Sequence, residues 1–566
     1  MAHPLTQIAR QGTLAFHTLR HLRPRQLAHL AWTRLLAPHR TAAPRVHSTA
    51  RRDPSFALAA PALPMHRCAI EPDDLAANRF TFLNRTEHLA TPIRWNDPEL
   101  PLLWRYNLHY FDYLWDAPPH QATRLLADWL RAHPRPSAPA WDPYPLSVRT
   151  MNWTLLLTTR LRPWLEQAPT DTRDALLGSL FTQGHHLRAH LERHLDGNHL
   201  FTNAAALALL GRFFDGPAAH AWRSTARRLL LTLAHEQFLP DGGHVERSPM
   251  YHALVLVNLL HAINADAAWA RQTPLPDVAA RAAAFLAQMT DRNGEVFLLN
   301  DSAHGIAPLT SRVLAYARNV LGRPIAHRPR HGASFLRTGY HLARNGDDLL
   351  LVDAAPVGPD HQPGHAHGDI FSFEFTVDGR PLVVDTGLCD YLSGPDRSYV
   401  RSTAAHNTIE LDGQDQCEFW AAFRVARRGR PHDVEAHAGP GTLRLSGWHD
   451  GYLRLPGRPV HHRAMTWERR VLRITDSVRS GRTHDIASRL HLHPDATVER
   501  CGDREVLIAN GPAAARLRLD GTARLSIEPA WHCPQFGIRI PTLAITIRAR
   551  ASAWSATATL TPVQAA

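Results

Sequence analysis

Four residues whose side chains can ligate a metal or move a proton, His365, His367, Asp385 and His406, fall within the stretch 364–407. They stand among β-forming residues, and on a strand residues two apart share a face, so His365 and His367 can address one site together. Asp385 reads as the end of the next strand, and His406 precedes another. Two imidazoles and a carboxylate suit zinc, with a fourth position left for water or protein. The chain has 38 histidines, so chance pairs exist. What distinguishes these is their place at the ends of short apolar strands with glycine-rich flanks. A cupin would want a glutamate three or four residues after the second histidine. The first here is Glu374, seven positions on, and the β-rich region is too large for that fold.

Two further motifs carry chemistry. Asp196-Gly-Asn-His-Leu-Phe-Thr-Asn203 places Asn198 and His199 at a helix start, where free N–H groups and the helix dipole favour an anion such as a uronate carboxylate. Asp241-Gly-Gly-His-Val-Glu-Arg-Ser-Pro-Met-Tyr-His252 places Tyr251 and His252 at another, after a glycine turn. Either alone is equally explained by helix capping. Together with the histidine-bearing strands they form a constellation.

The elements that must position these residues divide the chain. From about 120 to 320 apolar residues recur at three and four, as in Leu176 to Leu187, Leu200 to Phe214 and Tyr251 to Ile263, with Pro or Gly between the runs. This predicts antiparallel helical hairpins. After Pro324 the period becomes two, in about ten stretches including Tyr340 to Asp353, Phe371 to Asp385, His461 to Ile474 and Thr542 to Leu560. That predicts a large antiparallel β-sandwich, with the boundary near 322–334. Residues 1–50 are basic and leucine-rich, suited to one or two amphipathic helices that pack on the protein or lie on a membrane surface. Residues 51–120 are irregular, with Trp95, Trp104, Tyr106, Tyr110 and Tyr113 as either core or a sugar-stacking wall.

All 63 basic residues are arginine, and the net charge is +12. Codon bias explains this as readily as function; functionally, guanidinium groups hold carboxylates and sulfates bidentately, which suits an acidic polymer. Nothing in the sequence supports nucleic acid as the partner: there is no basic helix, zinc-finger spacing or RNP-like strand. Five scattered cysteines, with no CxxC spacing, indicate neither a disulfide framework nor a thiolate metal site. No apolar run is long enough to span a bilayer, and no cleavable signal peptide is evident. The chain is therefore expected to be cytoplasmic by sequence.

With Gly-Asn-His-Leu, Asp-Gly-Gly-His-Val-Glu-Arg-Ser-Pro-Met-Tyr-His, Gly-His-Ala-His-Gly-Asp-Ile-Phe-Ser-Phe and Arg-Ser-Thr-Ala-Ala-His-Asn-Thr in combination, residues 95 to 560 resemble the heparinase II/III family of polysaccharide lyases. The resemblance implies an α+β multidomain chain: a basic helical or irregular segment (1–94), an incomplete helical barrel or α/α toroid (95–325) and an antiparallel β-sandwich (326–566), with the active site between the last two. It implies that Asn198 and His199 neutralise a uronate carboxylate, that Tyr251 is the catalytic acid and base, and that His365 is the second proton-transfer residue. His252, Arg247, Glu246 and Asn203 are the candidate substrate-binding residues. His367, Asp385 and His406 match the positions that hold one structural zinc in members that have it. No organic cofactor is expected. The family would place the protein in the periplasm, against the absent signal peptide.

The implied reaction is β-elimination on an acidic glycan, leaving a 4,5-unsaturated uronate. Removing the C5 proton requires the adjacent carboxylate to be neutralised, so that charge can spread into an enolate-like form. A tyrosine of ordinary pKa, about 10, is a poor base, so His252 or Arg247 is expected to lower it. Two other classes share these features: a non-catalytic acidic-glycan-binding protein, and a metal-dependent glycan hydrolase using His367, Asp385 and His406. The sequence sets neither the particular polysaccharide nor the oligomeric state.

Overall fold

The structure, a computed structural model, describes residues 4–35, 50–68, 70–325 and 333–564. Helices dominate up to Leu321, and strands dominate from Ala333 onward. The expected boundary at 322–334 falls largely on residues 326–332, outside the described residues.

The helical lobe is an incomplete α/α toroid of inner and outer helices. The inner ones, Pro143–Thr158, Gly197–Phe213 and Pro249–Ala265, have no solvent face and are buried almost throughout, the first of them with polar side chains such as Arg149 and Asn152 hydrogen-bonded inside. Outer helices such as Thr170–Ala189 bury one stripe, here Leu176, Leu177, Leu180, Phe181, Gln183, Gly184 and Leu187, and expose the rest. Proline at the first turn of Pro143–Thr158 and Pro249–Ala265 costs no hydrogen bond, because that N–H has no helical partner. The N-termini of all three inner helices open on one cleft, which Tyr144, Asn198, His199 and Tyr251 line.

The second lobe is two stacked antiparallel sheets, one of ten strands and one of five. The larger is organised on two long strands, Val471–His491 and Ile540–Gln564, paired with each other. In the smaller sheet Asp348–Asp353 is buried on both faces. Leu350 and Val352 join Phe373, Trp467 and Ile474 between the sheets, while Leu349 and Leu351 join Phe285 and Met289 of the helical lobe. Period-two alternation thus welds one strand to two cores.

Three stretches expected as single strands are hairpins, His461 to Ile474 among them, which turns at Arg469-Arg470 between Val460–Glu468 and the strand that starts at Val471. Tyr340–Asn345 and Asp348–Asp353 turn at Gly346-Asp347, and Phe373–Val377 and Arg380–Val383 turn at Asp378-Gly379, both of the latter with positive φ, as a tight hairpin turn requires. His365 and His367 are not on a strand but in the loop before Phe373. A short helix, Pro395–Arg401, interrupts the β region.

The N-terminal helices Pro4–Leu19 and Pro24–Leu35 bridge the lobes. Thr18 Oγ1 accepts from Trp420 Nε1 (3.0 Å) on the β side, and Gln26 Nε2 donates to the carbonyls of His194 and His361 (3.2 Å each), one on either side. Arg25 donates to Asp196 at the rim of the toroid (2.9 Å). Trp95, Trp104, Tyr110 and Tyr113 are core, and Trp104 and Tyr110 also border the cleft, beside the half-buried Tyr106.

Candidate active site

Between the lobes lies a cleft of about 950 Å³, with Asn198, His199, Tyr251 and His365 on its wall. The Tyr251 and His365 rings stack, centroids 3.9 Å apart and planes 27° apart. The Tyr251 hydroxyl is 2.9 Å from that of Tyr391, which comes from the β-lobe.

Backbone detail explains the motifs. Ser248 caps the helix that carries Tyr251, accepting from the Tyr251 N–H (3.2 Å). Gly197 has φ +53°, and a Cβ there would lie 2.1 Å from Glu246 Oε1, so only glycine lets Glu246 reach the Asn198 N–H (2.7 Å). Asn198 Nδ2 donates to Glu246 Oε2 (2.9 Å) and lies 3.4 Å from His365 Nε2. The Asn198 amide is thus directed at Glu246 and His365 rather than at open cleft.

His365 is held on its other nitrogen by Asp301, Nδ1 to Oδ2 at 2.8 Å. The same carboxylate bonds His367 Nε2 (2.9 Å) and takes both Nη atoms of Arg397, Nη2 at 2.9 Å on Oδ2 and Nη1 on Oδ1. Burial would raise the Asp301 pKa; the Arg397 guanidinium and the two histidines outweigh it and hold the group well below the usual carboxylate range. Burial pulls His199 down, but the charge of Glu192 and its hydrogen bond (3.0 Å) more than offset this and leave its pKa raised. Glu246 is pushed up by burial and brought down further by His244, His365 and the Asn198 donors.

Tyr251 differs from expectation. Burial, and then the neighbouring Tyr144, push its pKa well above 10, with only the Tyr391 hydrogen bond acting the other way. The cations expected to lower it are not available. His252 donates Nε2–H to the Ala282 carbonyl (2.9 Å), and burial lowers it to about 3. Arg247 turns away to the carbonyls of Thr338 (2.9 Å) and Val245 (3.2 Å).

None of His252, Arg247, Glu246 and Asn203 lines the cleft. Two of them act one layer back: Glu246 on Asn198, and Asn203 by giving Nδ2 to Glu192 Oε2 (3.0 Å), the carboxylate that holds His199. Sequence reasoning missed Asp301, Arg397, Tyr391 and Glu192. A signal existed for Asp301, a carboxylate close behind the apolar run Val296 to Leu299. Arg397 and Tyr391 lie in a loop-and-helix segment that no periodicity marks.

His367, Asp385 and His406 lie together behind the site. His406 Nδ1 is 2.8 Å from Asp385 Oδ2, its Nε2 is 3.1 Å from the Val400 carbonyl, and its ring centroid is 5.2 Å from that of His367. With His367 Nε2 on Asp301, Nδ1 of His367 is left buried and unpartnered. The chemistry of this donor set fits a zinc ion, each histidine having its outer nitrogen held by an oxygen as ligating imidazoles do. Its spacing does not close: among the described residues no three His, Cys, Asp or Glu side chains converge on one ion position.

A two-lobed protein with a helical toroid, a β-sandwich and a cleft between them lined by Tyr251, His199 and His365 has the fold of a polysaccharide lyase. Family models agree: residues 122–303 match the heparinase II/III N-terminus and residues 327–560 the heparinase II/III-like C-terminal domain, and the chain belongs to the heparinase II/III family. It is similar to the crystal structure of heparinase III (TM-score 0.72, 17% identity, 92% of this chain and 88% of that one). It is also similar to the heparan sulfate lyase HepC from Pedobacter heparinus (TM-score 0.58, 17% identity, 87% and 82%). At these identities the likeness shows the fold. Among curated proteins it is 26% identical over 436 residues, 72% of each chain, to FtsZ-localized protein C of Caulobacter vibrioides (strain NA1000 / CB15N).

Proposed function

We propose that the protein is a polysaccharide lyase that cleaves a uronate-containing glycan by β-elimination, with His365 as base and Tyr251 as acid. The observation that carries this is the stacked pair itself, facing the cleft with each partner held from behind: His365 by Asp301 and Tyr251 by Tyr391.

The ionised Asp301 accepts Nδ1–H of His365, which orients the ring with Nε2 as its proton-accepting nitrogen. Nε2 takes the C5 proton. The imidazolium so formed lies between Asp301 at 2.8 Å and Glu246 at 3.6 Å, two carboxylates already in place, so little reorganisation is needed. His199, its charge sustained by Glu192, and the inner helix N-termini supply positive potential for the uronate carboxylate as charge moves into it. Burial keeps the Tyr251 hydroxyl protonated, which suits Tyr251 to giving its proton to the departing O4; the proton that His365 has taken from C5 then returns to Tyr251 and resets the pair. The raised pKa argues against Tyr251 as the base.

Zinc belongs to the proposal as structure only. It would be held by His367, Asp385 and His406, where it would tie the 363–369 loop to the 403–405 turn, and it takes no part in proton transfer.

The test is ultraviolet absorbance of the unsaturated product on a panel of uronate polymers. Activity abolished by both Tyr251→Phe and His365→Ala, in folded protein, supports the assignment. Full activity of Tyr251→Phe overturns it. Reducing ends released without absorbance indicate a hydrolase, and retention on an acidic-glycan column without turnover indicates a binding protein.

A further inference from the structure

The charge of the whole chain suggests a strongly basic binding groove; the cleft is not one. Its lining contains four arginines and three aspartates. Arg85 is paired with Glu87 (2.6 Å), Arg539 with Asp396, and Arg428 lies 3.9 Å from Asp360. Arg424, over the Trp420 ring at 6.0 Å, has no ion pair among the described residues, and Asp390 adds a further negative charge to the same wall. A glycan carrying several sulfates per repeat would have to displace these carboxylates one by one, at the cost of desolvating both partners.

The rest of the wall is apolar, and unusually exposed. Leu102, Leu195, Leu392 and Phe423 are 45%, 39%, 57% and 42% accessible, and all four face the cleft. They make up four of the ten large hydrophobic side chains found exposed among the described residues, which makes the cleft a concentrated patch rather than scattered leucines. Bare uronate sugars present hydroxyls to such a wall and leave it poorly matched. Acyl groups on those hydroxyls would cover it.

We propose that the cleft selects a uronate polymer without sulfate, whose sugars carry acyl substituents that pack on Leu102, Leu195, Leu392 and Phe423. This rests on the uronate-lyase assignment above for its single carboxylate per reacting sugar. The polar demand of the site is then met by His199 and the inner helix N-termini, with no need of a basic groove.

The experiment uses the full chain and four probes: O-acetylated alginate, the same polymer after alkaline de-acetylation, heparan sulfate, and chemically desulfated heparan sulfate. Binding is measured by calorimetry and turnover by ultraviolet absorbance, so that recognition and chemistry are read separately. The acetylated polymer should bind at least about five-fold more tightly than its de-acetylated form, the margin expected of one or two buried methyl groups. Leu102→Ser and Leu195→Ser, at exposed sites on the cleft wall, should erase the acetyl preference, read as the ratio of the affinities for the two forms of the polymer. Equal or weaker binding of the acetylated polymer, or tighter binding of heparan sulfate than of its desulfated form, overturns the proposal. Selective binding without unsaturated product would instead overturn the lyase assignment and leave the selectivity standing.

Discussion

Asp301 is the residue on which most of the site converges, since it alone touches His365, His367 and Arg397. Asp301→Asn keeps the shape but removes the charge that orients the His365 ring. By analogy with other carboxylate-held imidazole bases, kcat should fall roughly 10³-fold or more. Because Arg397 would be left as a buried cation without its carboxylate, the variant should also lose about 3–5 kcal/mol of stability. Chemical denaturation and single-turnover kinetics separate the two effects, and wild-type kcat in this variant would remove Asp301 from the mechanism. His199 makes a prediction with a sign. Its folded pKa is raised, so its charge persists above the ordinary value of about 6.5 and disappears as pH rises through the folded value. KM for a uronate polymer should therefore climb on the alkaline side, and the stability contributed by the Glu192 pair, fully present below about 6.5, should fade over the same range. In His199→Gln both alkaline trends should be absent.

At the scale of elements, the loops that meet the inner helices matter most. Gly197 stands where the Asp196-Gly-Asn-His turn feeds a helix, and Glu246 occupies the space a side chain would need. Gly197→Ala should cost about 1–3 kcal/mol through its positive φ and should push Glu246 off Asn198, so kcat should drop while the helix itself remains. An unchanged melting temperature and rate would show that the turn relaxes. The zinc proposed for His367, Asp385 and His406 belongs to this scale too. Without an ion, Nδ1 of His367 stays buried and unpartnered, a cost of about 1–3 kcal/mol. The purified protein should carry close to one zinc per chain, and chelation should lower its melting temperature by several degrees while barely changing the initial rate. Metal-free protein with the same melting point would remove zinc from the account. Much of this level was legible in the sequence. The helical runs are written in three-and-four spacing, and Tyr251, Asn198 and His199 stand beside glycine turns that announce helix starts. What was not legible depends on pairing across long separations. Nothing local tells that Asp301 will meet His365 or that Tyr391 will meet Tyr251, and the helix Pro395–Arg401 is too short for periodicity to reveal. The failure over Tyr251 has the same origin: His252 and Arg247 adjoin it in sequence, but helix geometry and a positive φ at Arg247 turn both away.

For the whole molecule, the decisive fact is that the two lobes share a core. Tyr340, Leu342, Leu349 and Leu351 of the small sheet pack on Phe285 and Met289 of the toroid, so the sheet has no solvent face to offer if the lobes are parted. At roughly 1.5–3 kcal/mol for each large side chain exposed, freeing this face costs a sum comparable to the entire stability of an ordinary domain. The cleft depends on the same junction, because Tyr251 comes from one lobe and Tyr391 and His365 from the other. Residues 326–566 produced alone should therefore aggregate or bind an apolar dye, without a cooperative thermal transition, and supplying residues 1–325 in the same cells should restore both solubility and the Tyr251–His365 pair. A monomeric fragment that melts as sharply as the full chain would mean that the sheet closes on itself and that the joint between the lobes is a hinge. A hinged cleft would bring Tyr391 to Tyr251 only when shut, and the hydrogen bond between the two hydroxyls would then report closure rather than a fixed wall.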